Sequence, residues 1–523
     1  MFLSVTGISN AALDILIGVL LTLLTVAVLF ISVYFIIKYA GKEKGANVLK
    51  LLVVVLVIGF LVRILLSIAV LGHKIDFRYV IQNTLEDPDY RVGDATEPPS
   101  LRLYPFTYYA ISMFASPLLN AGLSYDNVIV NMFIKMPFMI ADIVTAFLMY
   151  RAGKRFVNEY VGVILASLVC FCPIFLFASS LWGSIVCLLI PIFLGAFLCL
   201  VEKKYIPAIL IADLALITAK EGMIILPVMF AYFLIVWIKS VYDYAKGNKA
   251  STTKNVKSTT SNYNTFVKKQ KESLLNIVLI PLTAVLGQVL IYLIALPYLE
   301  PIKNLGSTYA DFVELFFIMP IRDSWYFGEN ALNIYAVFGF NTERVVSKMN
   351  QMLIAVIFAV FIAIITGIVY FIKKNRAVVL AFGTYAIFTV CTYFVGFTAL
   401  SIIPVLGMLL LSFVTTKDKR FFRSFCVTVI LLIILVSIIY VKAGYYNTLH
   451  LSQLGSDYTG GTWLNVGSFK VVMIILSVLQ VLNHIYLTFT TFDITINNRV
   501  RKFTLDEAPT FKKVMKEVFT NRK

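Results

Sequence analysis

Residues 131–150 read NMFIKMPFMIADIVTAFLMY. This stretch is almost wholly apolar, and it matches the roughly 20 residues that an α-helix needs to cross the hydrocarbon core of a bilayer. It nevertheless carries two charged residues, Lys135 and Asp142. The rest of the chain repeats this pattern of apolar runs separated by short polar segments, which is typical of a polytopic membrane protein.

The composition supports the same interpretation. Of 523 residues, 60% are hydrophobic and only 14% are charged, whereas soluble domains are about 45–50% apolar. The first run begins after Asp14 and is long enough to span, so we do not expect a cleavable signal peptide. Thirteen candidate spans lie at about 15–37, 50–72, 127–150, 159–181, 184–201, 205–219, 221–238, 274–298, 352–373, 377–397, 400–416, 423–442 and 469–491.

The basic residues of the chain indicate how these spans are oriented. The formal charge of +17 lies mainly in short segments between apolar runs, which argues for membrane topology and against nucleic-acid binding. The basic segments alternate along the chain, and cytoplasmic loops of membrane proteins carry an excess of Lys and Arg. We therefore place the N-terminus outside and the C-terminus inside.

This topology divides the chain into four parts. Residues 1–49 form an extra N-terminal transmembrane helix with its cytoplasmic loop, and residues 50–442 form the transmembrane core. Residues 443–491 hold an outer loop and the last span, and residues 492–523 form a basic cytoplasmic tail.

Three long polar segments interrupt the core. Two of them are outer loops, at 73–126 and 299–350, and the third, 239–273, is expected to be a flexible basic cytoplasmic loop. Within the first outer loop, residues 104–119 are apolar and aromatic but too short to force a crossing. We expect them to form a helix in the membrane interface.

Charged residues within the runs identify candidate site positions. Lys135 and Asp142 are seven residues apart, and so are Asp213 and Lys220. This spacing is close to two helical turns, so each pair is expected to share one helix face. The two carboxylates could simply accept hydrogen bonds from neighbouring helices. Alternatively, these residues line a polar cavity open to the outer face, with the lysines contacting a phosphate.

A further carboxylate, Asp76, follows the second run by only a few residues. It is either one of several acids in a solvated loop or a base held just outside a membrane helix. The six cysteines lie in or beside apolar runs and are expected to be packing residues. His73, His450 and His484 lack metal-ligand spacing and are interpreted as interfacial or hydrogen-bonded residues. No cofactor is expected; a divalent metal stays an open alternative, but the sequence shows no ligand cluster that indicates one.

Several short motifs occur in a characteristic order between about residues 60 and 410. They begin with Asp76, residues 104–109 (YPFTYY) and Lys135-Met136-Pro137, and continue with Ala141-Asp142, Cys172-Pro173-Ile174, Trp182-Gly183, Lys220 and Leu226-Pro227. The last is residues 329–335 (ENALNIY), followed by Gly339. In this order the chain resembles the GT-C superfamily of polyprenyl-phosphate-sugar-dependent glycosyltransferases. It is most similar to bacterial relatives of the second GPI-anchor mannosyltransferase.

The resemblance implies an all-α GT-C-like bundle of about 13 transmembrane helices with interfacial helices in a long first outer loop. It also implies inverting transfer of a hexose, such as mannose, from a polyprenyl-phosphate sugar to a glycolipid or cell-envelope glycan. Asp76 would be the general base at the extracytoplasmic face. The candidate substrate-binding residues are Tyr104, Lys135, Asp142, Trp182, Asp213, Lys220, Glu221, Asn330 and Asn333.

Some positions differ from the family pattern. Relatives have Trp-Gly-Gln and Lys-Pro-Gln where this chain has Trp182-Gly183-Ser184 and Lys220-Glu221-Gly222. A second hypothesis is therefore a non-catalytic GT-C-like subunit that binds lipid-linked glycans or scaffolds a membrane-protein partner. A third is a lipid or glycan flippase or transporter. The composition favours a bacterial plasma membrane over the endoplasmic reticulum as the location.

Overall fold

A computed structural model provides the structure of the chain. It describes residues 46–70, 72, 81, 85, 104–125, 127–252, 260–299, 309–314, 318, 331–340, 348–373, 375–445 and 467–497. Every element in these ranges is a helix. Asp76 and Asn330, together with His73, His450 and the first predicted span at 15–37, lie outside the described residues.

The first half of the described chain contains α1 to α7. These are α1 (Ala46–Ala69), α2 (Pro105–Asn120), α3 (Val128–Phe156), α4 (Glu159–Phe171), α5 (Pro173–Leu176), α6 (Leu189–Val201) and α7 (Tyr205–Leu216). Between α5 and α6 lie a π-helix, Phe177–Trp182, and a 3₁₀-helix, Ile185–Leu188. A second 3₁₀-helix, Lys220–Ile225, follows α7.

The second half contains nine helices. They are α8 (Leu226–Thr252), α9 (Thr260–Leu299), α10 (Tyr309–Val313), α11 (Ile334–Val337), α12 (Lys348–Ile372), α13 (Arg376–Tyr393), α14 (Ile403–Thr416), α15 (Lys419–Tyr445) and α16 (Gly467–Asn497). Among these, α10 and α11 are single turns in the predicted outer loop at 299–350.

The prediction of a polytopic all-α membrane protein is confirmed. Eight helices in the described ranges are long and apolar enough to cross a membrane, and a ninth span forms if the bent pair Glu159–Phe171 and Pro173–Trp182 is counted as one. Three predicted spans correspond to shorter apolar helices, Ile185–Val201, Tyr205–Leu216 and Ile403–Thr416. The total of 13 spans stays a prediction.

The burial pattern separates an inner group of helices from a lipid-facing group. Nearly every side chain of α14 is buried, and α14 packs against α3, α6, α13 and α15. By contrast, α9 and α12 carry many exposed large apolar side chains, including Leu286, Leu353 and Ile357. Such surfaces are costly in water and suit the acyl chains of a bilayer.

Close backbone contact joins α3 to α4. A Cβ placed on Gly153 would lie 2.4 Å from the Cα of Gly162, so only glycine fits at this crossing. Small residues at helix interfaces allow the close van der Waals packing on which helix association in membranes depends.

Helices occupy both ends of the segment 239–273, which the sequence analysis predicts as a flexible cytoplasmic loop. Helix α8 continues to Thr252, and α9 already begins at Thr260. Their flanking sequences contain Lys, Gln, Glu and Ala, which have high helix propensity. A helix that is already nucleated in the membrane therefore extends into these segments at little cost.

Candidate functional site

A buried ion pair connects α1 to α3. Arg63 Nε donates to Asp142 Oδ2 at 2.9 Å, and both side chains are completely buried. Sequence reasoning singled out Asp142 but missed Arg63, although a charge within an apolar run was the signal available. Removing either partner would leave an uncompensated buried charge, at a cost of about 3–5 kcal/mol.

The same arginine completes the hydrogen bonding of a broken helix. Its guanidinium donates to the carbonyl oxygens of Cys170 at 2.8 Å and Val169 at 3.3 Å. In a continuous helix the N–H of residue 173 would donate to the Val169 carbonyl, but proline has no N–H. Arg63 therefore supplies a donor where Pro173 cannot, at the point where the chain bends by 47°.

Lys135 contacts the segment that follows the break at Pro173. Its ammonium group donates to the carbonyl of Val70 at 2.6 Å, at the end of α1, and to that of Ser180 at 2.9 Å, in the π-helix. The side chain is completely buried. We call Arg63, Lys135 and Asp142 the helix-break cluster, because all three connect α1, α3 and the broken helix.

Trp182 lies at the end of the π-helix, 3% exposed, with its ring centroid 5.9 Å from that of Phe177. The helix-break cluster thus contains two of the predicted site residues, Lys135 and Asp142, and a third, Trp182, lies in the π-helix that Lys135 contacts. Their described contacts connect helices, which agrees with the interpretation that buried charges hold the bundle together. The same interpretation fits His484, which hydrogen bonds Thr389 and Tyr393.

Asp213 forms a separate contact between α7 and α9. Its Oδ1 accepts a hydrogen bond of 2.9 Å from Gln288, whereas Oδ2 is buried without a hydrogen-bond partner in the described part of the chain. A Cβ on Gly287 would lie 2.0 Å from Oδ2, so the glycine leaves the space that the carboxylate occupies. The expectation that Asp213 and Lys220 share one helix is wrong, because α7 ends at Leu216.

Lys220 instead begins the 3₁₀-helix that follows α7. This helix lies directly against the end of α7, since a Cβ on Gly222 would be only 1.9 Å from the carbonyl oxygen of Ala215. The turn between α7 and this 3₁₀-helix also accepts hydrogen bonds from the start of α2, which belongs to the predicted first outer loop. Phe106 N donates to Ile217 O at 3.1 Å, and Thr107 Oγ1 donates to Thr218 O at 2.6 Å.

These two bonds place the start of α2 beside Lys220. Tyr104, the residue before α2, is 6% exposed and packs in an apolar cluster with Ile217 and Phe312. Helix α2 is not among the candidate spans that the structure describes, which agrees with its predicted position in the interface.

Glu221 makes the next contact of this region. It is 2% exposed, and its Oε1 accepts a hydrogen bond of 2.7 Å from Ser401 Oγ. Ser401 Oγ in turn accepts a bond of 2.9 Å from the backbone N–H of Thr398. The segment Lys220-Glu221-Gly222 therefore contacts the segment that holds Ser401. Sequence reasoning could not pair them, because 180 residues separate Glu221 from Ser401.

A small cavity lies next to this hydrogen bond. Its walls include Ala331, Leu332, Thr398 and Ser401. Asn333 follows directly and is fully buried, and its Oδ1 accepts a bond of 3.0 Å from Ala336 N as the N-cap of α11. Three segments assigned to the outer face, around residues 221, 332 and 400, thus meet at one end of the bundle.

A larger apolar groove opens beside Lys220. It encloses about 580 Å³, including the space at its open side. We call it the Lys220 groove; it is lined by Lys220, Met223, Ile224, Pro227, Ala355, Phe358, Ala359, Val390 and residues 394–397. Lys220 is the one charged residue among them. The groove also shares Phe397 with the small cavity.

Comparison of the chain with protein-family models, curated proteins and solved structures finds no match.

The predicted site residues thus separate into groups. Lys220 lies in the groove, and Tyr104, Glu221 and Asn333 lie close by. Lys135 and Asp142 belong to the helix-break cluster, with Trp182 in the adjoining π-helix, and Asp213 contacts α9 separately. Neither cavity is lined by Lys135, Asp142 or Asp213. Four of the six cysteines are buried in the hydrophobic core and the other two pack against it, which agrees with their interpretation as packing residues. We take the Lys220 groove and the Glu221–Ser401 hydrogen bond as the candidate functional site.

Proposed function

We propose that the protein is a membrane glycosyltransferase of the GT-C type. It takes a hexose from a polyprenyl-phosphate sugar and transfers it, with inversion, to a glycolipid or cell-envelope glycan at the extracytoplasmic face. The observation that best supports this proposal is the Lys220 groove. It is apolar and open on one side, Lys220 is the one charged residue among the described residues that line it, and the Glu221–Ser401 hydrogen bond lies nearby.

The shape and chemistry of the groove suit an isoprenoid lipid. Two small residues one helical turn apart on α12, Ala355 and Ala359, leave space where larger side chains would fill it. Phe358 and Phe394 contribute aromatic surface at its walls. Because its lining is apolar and one side is open, a branched hydrocarbon chain could enter laterally without crossing a polar barrier.

Lys220 suits the phosphate that joins such a lipid to its sugar. An ammonium group is a compact point charge that binds phosphate oxygens, and a partly buried site strengthens the attraction. The lysine extends from the 3₁₀-helix where the outer-face segments meet. A phosphate held there would place the sugar toward Glu221, Ser401 and the small cavity.

The chemistry requires one base and stabilisation of the leaving phosphate. The base, for which the resemblance implies Asp76, takes the proton of the acceptor hydroxyl, and the oxygen attacks the anomeric carbon. The bond from that carbon to the phosphate oxygen breaks, and polyprenyl phosphate leaves with the electron pair. Lys220 would stabilise the charge on this phosphate.

Binding of a short-chain polyprenyl-phosphate hexose to the purified protein tests the groove separately from turnover. Lys220→Met should weaken binding about tenfold or more, because a hydrogen bond to a charged group is worth about 1.5–3 kcal/mol. Lys220→Arg should retain most of it.

Filling the groove provides a second test. Ala359→Phe should block the lipid, whereas Val360→Phe, on a side chain that is 52% exposed, serves as its lipid-facing control. Equal binding by Ala359→Phe and the wild type would show that the lipid does not occupy the groove.

A second candidate function is a non-catalytic subunit that binds a lipid-linked glycan. It is favoured by the helix-break cluster, whose charged groups hold helices together instead of lining a cavity. It predicts the same lipid binding without any transfer of sugar.

A further inference from the structure

Six exposed basic residues come together at the end of the bundle opposite the Lys220 groove. They belong to three elements that are distant in sequence: the last turns of α3, the turn between α6 and α7, and the first residue of α13. They are Arg151, Lys154, Arg155, Lys203, Lys204 and Arg376. We call this surface the basic patch.

Contacts among these elements show that they form one surface. Arg376 Nη1 donates to the carbonyl of Val201, the last residue of α6. Glu202 follows directly, and its carboxylate lies 2.7 Å from Lys204 Nζ. The hydrogen bond from Lys204 lowers the pKa of Glu202, and the charges of Arg155 and Arg151 lower it further.

Acidic residues balance only part of this charge. Lys154 pairs with Glu159 at 2.6 Å, and Lys204 pairs with Glu202. Six cations against these two carboxylates leave a surplus of four among the residues named. The surplus lies on exposed side chains, where a multiply charged anion can reach it.

The backbone at Lys203 adds an independent observation. Lys203 N donates to Leu200 O and Lys204 N donates to Cys199 O, the pair of bonds that ends a helix in a Schellman motif. The motif places Lys203 in the left-handed region, at φ 63°, where glycine avoids a steric cost. A positive charge near a helix C-terminus offsets part of that cost. Lys203 is therefore a cation at a position where glycine would adopt the left-handed conformation at a lower steric cost.

Apolar surface continues directly from the patch. On α7, just beyond Lys204, Ile206 and Leu210 are each 39% exposed and lie one helical turn apart. A ligand that covers both surfaces needs an anionic head and an apolar body. This combination describes a phospholipid and not a soluble anion.

We propose that the basic patch binds the headgroup of an anionic phospholipid, with the acyl chains lying along the exposed face of α7. The site does not depend on glycosyl transfer. It differs from the general attraction of basic loops to an acidic membrane surface, because it gathers cations from three separate elements around one helix end.

Native mass spectrometry of the purified full chain tests the site, with phosphatidylglycerol and diphosphatidylglycerol as probes and phosphatidylcholine as the neutral reference. The test variant is Lys203→Gly with Arg155→Gln. The matched control is Lys417→Gly with Lys419→Gln, which removes equal charge from the end of α14 and the start of α15. Lys417 also has a left-handed backbone, at φ 56°, so both glycine substitutions relieve similar strain.

Each cation near a membrane surface contributes about a fivefold change in the binding of an anionic lipid. The test variant should therefore bind both anionic lipids about 25-fold more weakly, while the control loses less than threefold. Thermal unfolding should be unchanged or raised in both, because glycine suits the left-handed turn.

Two results would overturn the proposal. Equal loss in the test and control variants would mean that only the general charge of this face attracts anionic lipid. Displacement of the bound lipid by millimolar inorganic phosphate would mean that the patch takes a soluble anion.

Discussion

Arg63 and Lys135 place two basic side chains inside the bundle, and backbone carbonyl groups accept most of their hydrogen bonds. Arg63 has a carboxylate on one side and the carbonyls of a broken helix on the other. Lys135 donates to carbonyls at the ends of two separate helices. These contacts explain why charged residues, which cost about 2.5–3.5 kcal/mol in a membrane span, remain in place.

Asp142 and Arg63 allow this explanation to be tested by a double-mutant cycle. Arg63→Met should lower the free energy of unfolding by about 3–5 kcal/mol, because it leaves Asp142 buried without its cation. Adding Asp142→Leu should recover part of the loss. Recovery should stay incomplete, since the Val169 and Cys170 carbonyls still lack their donor.

Thermal unfolding in detergent micelles measures Arg63→Met, Asp142→Leu and the double variant, and Arg63→Lys keeps the charge as a control. If the stability lost by the double variant equals the sum of the losses in the two single variants, the two residues are not energetically coupled.

The helices themselves are joined by a recurring contact between basic side chains and helix C-termini. Besides Arg63 and Lys135, Lys239 donates to Tyr370 O near the end of α12, and Arg376 donates to Val201 O at the end of α6. The last carbonyls of a helix lack intrahelical partners and carry partial negative charge. Lysine or arginine from a neighbouring helix therefore both completes the hydrogen bonding and fixes the packing.

The contact between α7 and the 3₁₀-helix gives a prediction for the functional site. Gly222→Ala would place a Cβ 1.9 Å from the backbone oxygen of Ala215, which cannot rotate away as a side chain can. We expect α7 and the 3₁₀-helix to separate, which displaces Lys220 and abolishes lipid-phosphate binding.

Gly195→Ala, whose new Cβ would meet only Ile211 at 3.8 Å, is the matched control and should bind normally. Titration of both variants with a fluorescent polyprenyl phosphate checks this. Normal binding by Gly222→Ala would mean that the position of Lys220 does not depend on this contact.

Across the molecule, the two ends of the bundle have different chemistry. At one end, Lys220, Glu221 and Ser401 lie beside segments of the predicted outer loops, and the Lys220 groove lies next to them. The other end exposes the basic patch around Glu202. This separation matches the topology predicted from the Lys and Arg bias, in which the basic end is cytoplasmic and the end with the Lys220 groove is extracytoplasmic.

Much of this architecture could be predicted from hydropathy, because an apolar run of 20 residues has few alternatives to a helix in a bilayer. Helix interruptions were harder to predict. The run at 159–181 bends at Pro173, and the run at 205–219 ends at Leu216 before Lys220. Local composition does not reveal where a chain changes from an α-helix to a 3₁₀-helix.

The candidate site was less accessible to sequence reasoning than the fold. Lys220 and Glu221 were singled out, but the partner of Glu221, Ser401, was not. Arg63 was overlooked because a single charge does not disrupt an apolar run, and its function depends on a proline 110 residues later. Such contacts between distant segments appear only once the helices are packed together.

We propose that the Lys220 groove binds the donor of a glycosyl transfer. Release of polyprenyl phosphate and transfer of labelled hexose by the purified protein, with Asp76→Asn and Lys220→Met beside the wild type, test this proposal. We predict turnover by the wild type, its loss in Asp76→Asn without loss of donor binding, and weakened donor binding in Lys220→Met. Undiminished donor binding by Lys220→Met would contradict binding in the groove, and wild-type protein that binds the donor but transfers no sugar to any glycolipid or glycan acceptor would contradict glycosyl transfer.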